Sequence, residues 1–101
     1  MITRGTLQDV TGRVWLRFTE AHESYGAVVA RCELLDMPPE AKAVFDEHEQ
    51  RVLHQELSFL HHLKEKIRGF GLQLVWDGEH QRSAPLDVQL LDGEVSFRLD
   101  Q

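Results

Sequence analysis

Residues 36–50 read DMPPEAKAVFDEHEQ, and here the hydrophobic period of the chain changes from two to about 3.6. Pro38 and Pro39 stand where a helix begins, because a first-turn residue needs no N–H partner and proline's fixed φ is already helical. Glu40, Asp46, Glu47 and Glu49 crowd the early turns and Lys64, Lys66 and Arg68 the last one, both favourable to the helix dipole. In IRGFG, Gly69 suits the left-handed position after the last turn, and Phe70 can fold back on it. The pattern predicts one helix from about residue 38 to 68, roughly 45 Å long.

On either side of this segment the period is two. Val14, Leu16 and Phe18 alternate with Trp15, Arg17 and Thr19, and after the polar turn EAHESYG the alternation returns from Val28 to Leu35. Upstream, TLQDV is either a further strand reached through a Thr11-Gly12 turn or part of one longer, bulged strand. Downstream, Leu72, Leu74 and Trp76 alternate up to Asp77-Gly78. LDVQLLDGEVSFRLD then places two alternating arms around Asp92-Gly93, a pair suited to the positive φ values of a type I′ hairpin. Leu86, Val88 and Leu90 should share a face with Val95, Phe97 and Leu99.

The order β-β-α-β-β-β implies an α+β fold: a two-layer antiparallel sheet with one long central helix on one face, in a single domain spanning residues 1–101. Hot-dog-type folds have a similar order, but none of their local motifs occurs here. A hydrophobic fraction of 42% and a charged fraction of 28% are those of an ordinary globular chain. The net charge of -6 makes nucleic acid and anionic lipid poor partners. A single cysteine, Cys32, and the lack of an apolar run in MITRGTLQDV lead to the expectation of a reducing, cytoplasmic location. No stretch approaches a membrane span.

On a helical wheel Phe45, Val52, Phe59, Leu60, Leu63 and Ile67 form one stripe, and Leu53 and Leu57 widen it. The extra width is left either for a second subunit, giving a homodimer, or for a strongly curved sheet to cover. Glu49 and Glu56 fall within the stripe. A desolvated carboxylate there would suit general acid or base chemistry; one at the stripe's edge would reach water or pair with an arginine. His54 and His61 lie about 10 Å apart along the axis, too far to share an ion. His61 or His62 with Glu65 forms a two-ligand helical pair that needs a third ligand such as His80, which is a weak metal site beside the alternative of a solvated helix face. Ser58 lacks the nucleophile-elbow motif, and Cys32 alternates with inward-facing residues as a structural thiol does.

The outer sheet face, with no bulge, would present Trp15, Arg17, Arg31 and Arg98, a mixture typical of protein docking surfaces. The sequence therefore points first to a small acidic protein-interaction domain, without cofactor or enzymatic activity, that regulates or inhibits a basic partner. The alternative is a small enzyme or ligand-binding protein, hot-dog-like or metal-assisted, using carboxylates and histidines of the helix.

Overall fold

The structure is a computed structural model describing residues 2–99, with the side chain of Phe59 outside the description. Three strands, β1 (Gly5–Gln8), β2 (Val14–Ser24) and β3 (Ala27–Leu34), lead into helix α1 (Pro39–Leu53). A 3-10 turn (Leu57–Phe59), helix α2 (Leu60–Gly69) and strands β4 (Gln73–Trp76), β5 (Leu86–Leu91) and β6 (Glu94–Arg98) follow. All pairings are antiparallel, in the order β4-β1-β2-β3-β6-β5. The fold is α+β, with an additional first strand and two helices where one was expected. No described helix is long and apolar enough to cross a membrane.

The sheet is curled. Trp76 on β4 and Phe97 on β6 are four inter-strand steps apart, roughly 19 Å in a flat sheet. Their ring centroids lie 6.5 Å apart, and Phe18 of β2 packs edge-on against both, at 5.3 Å from Trp76 and 5.7 Å from Phe97. Gly5 allows this closure: a Cβ there would come within 2.6 Å of the Val75 carbonyl oxygen and 2.7 Å of the Phe18 ring. The helices lie against β5, and Ala41, Phe45 and Ile67 join the sheet residues Leu7, Leu16, Phe18, Val88 and Phe97 in the core.

Bulges redirect individual side chains. Leu7 pairs with Leu16 and Gln8 with Val14, so Trp15 is an extra residue that breaks the alternation. It turns inward, 4% exposed, against Phe70 at 5.2 Å. The expected outward position of Trp15 is thus corrected by the bulge. A second bulge sets Asp87 and Val88 opposite Phe97, which leaves Leu86 44% exposed while Val88, Val95 and Phe97 are buried as expected. The stretch EAHES proves to be strand up to Ser24, and Tyr25-Gly26, with φ of 52° and 82°, makes the turn. Asp92-Gly93, with φ of 52° and 79°, forms the hairpin turn its sequence predicts.

The long helix is broken at residues 54–56. Gln55 takes a left-handed φ of 57°, its N–H donates to the Val52 carbonyl (3.1 Å), and the Glu56 N–H donates to the Arg51 carbonyl (2.8 Å). These are the two bonds of a Schellman cap, with Gln55 in the place glycine usually takes. They satisfy carbonyls that α1 would otherwise leave open, and they end the helix without glycine or proline.

Candidate functional site

α1 turns Ala41, Phe45 and His48 inward, residues spaced four and three apart on one face. His48 is 0% exposed, and neither ring nitrogen has a hydrogen-bond partner among the described residues. Burial first, and the charge of Lys64 on α2 second, hold its pKa below the ordinary histidine value of 6.5. The ring is therefore neutral at neutral pH. An imidazole offers one donor and one acceptor, so this is the most costly polar group in the described interior.

Glu49 is half-buried, and its carboxylate accepts the Asp92 N–H at 2.6 Å, tying the β5–β6 turn to α1. Glu56 is exposed and pairs with Arg51 across the Schellman cap. The two glutamates thus do not converge on one cavity. The break at residues 54–56 resets the helical phase, so wheel positions computed through it do not share a face. Leu53 and Leu57, at the same elbow, are 59% and 65% exposed, and the curled sheet does not cover them.

On the sheet's outer face Arg17 and Arg31 are exposed beside Thr19 and Glu33 around a shallow groove, and Arg31 approaches Glu20 at 3.8 Å. Arg98 lies two strands from Arg17, on β6, and approaches Asp87 at 3.8 Å. Trp15 is absent from this face. Its indole N–H instead donates to Asp9 Oδ2 at 3.0 Å, while Asp9 Oδ1 accepts from the Thr11 hydroxyl and from the N–H groups of Thr11 and Arg13. The Thr11 hydroxyl above all, aided by the Trp15 indole, holds the Asp9 carboxyl at about 2 against some opposing desolvation. Arg13 extends the same corner through a two-pronged contact with Asp36, 2.9 Å on each side.

His61 and Glu65 both line a cleft of about 560 Å³ beside α2, but they do not approach within ion-pair distance, and His80 does not reach them. Among the described residues no three His, Cys, Asp or Glu side chains group to hold a metal. Cys32 is half-buried, with Sγ 3.7 Å from the Gly93 carbonyl oxygen; burial first and then Glu94 push its thiol pKa up, the direction that disfavours the thiolate. The remainder of the cleft brings in Lys64, Ile67 and Arg68 from α2 and residues 84–89 from the other wall.

Sequence reasoning passed over His48 and the Lys64/Arg68 pair. His48 was detectable, since it lies three residues after Phe45 and four before Val52 on the apolar stripe. The cleft has no comparable signal, because the residues 84–89 that form its second wall are joined to α2 only by folding. Comparison of the chain with protein-family models, with curated proteins and with solved structures finds no match in any of the three.

Proposed function

We propose that this chain is a small protein-interaction domain without enzymatic activity, and that it forms a homodimer through the elbow between α1 and α2. The observation that carries this reading is the exposure of Leu53 and Leu57, 59% and 65%, on adjoining sides of the helix break. A two-fold axis sets such a patch against its own copy, which removes all four leucines from water. Two leucines per copy are a small anchor, so the expected affinity is on the order of micromolar rather than nanomolar.

Charge separates self-association from other partners. Each copy carries a net charge of -6, so two copies repel at low ionic strength and screening strengthens the dimer. A basic protein partner, which the acidity also suits, binds more weakly as salt rises. Light scattering behind a sizing column at two salt concentrations tests the reading. Wild-type protein is expected to approach twice 11.7 kDa as concentration and salt increase, and the Leu53→Asp/Leu57→Asp variant to remain at 11.7 kDa with an unchanged circular dichroism spectrum. A wild-type monomer at all micromolar concentrations and both salts would overturn the homodimer.

A further inference from the structure

The cleft beside α2 has walls of different chemistry. On one side His61, Lys64, Glu65 and Arg68 share a face of α2, above the buried side chains of Ile67, Leu72 and Val88. On the other side six consecutive residues, 84–89, line it. Ala84 and Pro85 precede β5, and the bulge at Asp87 and Val88 breaks the alternation of the strand's first residues, so this wall is the entry into β5 at the border of the sheet. Among the described residues β5 ends the sheet and pairs with β6 alone.

Lys64 and Arg68, one turn apart, have no carboxylate within ion-pair distance among the described residues. The acid on the opposite wall, Asp87, has Arg98 beside it, and Glu65 offsets one of the two cations. A single negative charge therefore matches the site better than two. An extended peptide is a poor occupant of the edge: Pro85 has no N–H, and the bulge at Asp87, with φ of 51°, breaks the run of evenly spaced donors and acceptors that strand addition needs. The volume, about 560 Å³, lies within the usual range for small-molecule sites.

We propose that this cleft binds a small organic monocarboxylate, its head held between Lys64 and Arg68 and its apolar body lying against Leu86, which is 44% exposed, with the nearly covered Ile67, Leu72 and Val88 as the floor. Arg68 supplies the planar fork that matches a carboxylate, and Lys64 a second donor one turn away. The site is separate from the elbow leucines and does not depend on self-association.

Titration of ¹⁵N-labelled protein with 4-phenylbutyrate tests it, with 4-phenylbutylamine as a probe of the same body and opposite charge and an acidic pentapeptide as the competing occupant. Saturable amide shifts confined to α2 and residues 84–89 are expected with the carboxylate and not with the amine. The Lys64→Gln/Arg68→Gln variant should weaken binding about tenfold while the rest of its spectrum overlays wild type. If that variant does not fold, Arg68→Lys takes its place, and a loss of affinity of several fold is expected because the fork is gone. The proposal is overturned by an absence of saturable shifts through the millimolar range, by equal binding of the amine, by unchanged affinity in the variants, or by tighter binding of the peptide.

Discussion

The chain turns sharply at Asp92-Gly93 and again at Gln55, both times with residues at positive φ, and the two turns are held by different means. At the hairpin, glycine occupies the more strained position without steric cost, and Glu49 reaches across from α1 to bond the Asp92 N–H. At the elbow a glutamine sits in the left-handed region, held by two backbone bonds and an exposed Arg51–Glu56 pair, while the neighbouring Leu53 and Leu57 face water. Both turns place one non-glycine residue in the left-handed region, Asp92 and Gln55, but the hairpin closes the core whereas the elbow leaves apolar surface uncovered.

The comparison yields a graded set of substitutions. The largest loss is expected at the hairpin: Gly93→Ala should destabilise by about 1–2 kcal/mol, read as a lower urea midpoint with unchanged slope. Glu49→Ala comes next at about 1 kcal/mol, because the Asp92 N–H loses its charged acceptor but can turn to water. The elbow should respond in the opposite direction. Gln55→Gly is expected to stabilise by about 0.5–1 kcal/mol, the relief of left-handed strain less the extra freedom of glycine when unfolded. Glu56→Ala, which removes only an exposed pair, should cost a few tenths of a kcal/mol at most. Equal losses at Glu49 and Glu56 would erase the distinction between the two regions.

Protonation sharpens the same contrast, because His48 lies one residue from Glu49 on the anchored side. Its folded pKa is below 6.5, so below 6.5 the unfolded chain binds a proton that the folded one resists. Stability from the neutral ring is complete above pH 6.5 and is lost as pH falls from there toward the folded value. Thermal unfolding followed between pH 8 and 5 should show wild type losing stability in this window and His48→Leu losing less. Parallel curves for the two proteins would mean that the ring does not titrate between states.

These contrasts also explain what was readable in advance. Asp92-Gly93 and the alternation around it specify the hairpin locally, so its turn and its buried Val95 and Phe97 were legible. The break at Gln55 was not, since residues 52–58 hold no glycine or proline and the cap is made by backbone groups. Continuing the wheel through it placed Glu56, Leu53 and Leu57 on the stripe of Phe45 and Leu63. Trp15 was misplaced for a related reason: one bulged residue reverses the face of its side chain, and the Asp9 and Phe70 contacts that hold it come from elsewhere in the fold. The exposed leucines were legible as a surplus of apolar width, although not as an elbow.

The most direct test of the elbow as the interaction surface is a dilution series of ¹H–¹⁵N spectra in moderate salt. Concentration-dependent shifts are predicted at residues 51–60, and they should vanish in Leu53→Asp/Leu57→Asp. Shifts centred on Arg17 and Arg31 of the outer sheet face, or an unchanging elbow, would contradict the account.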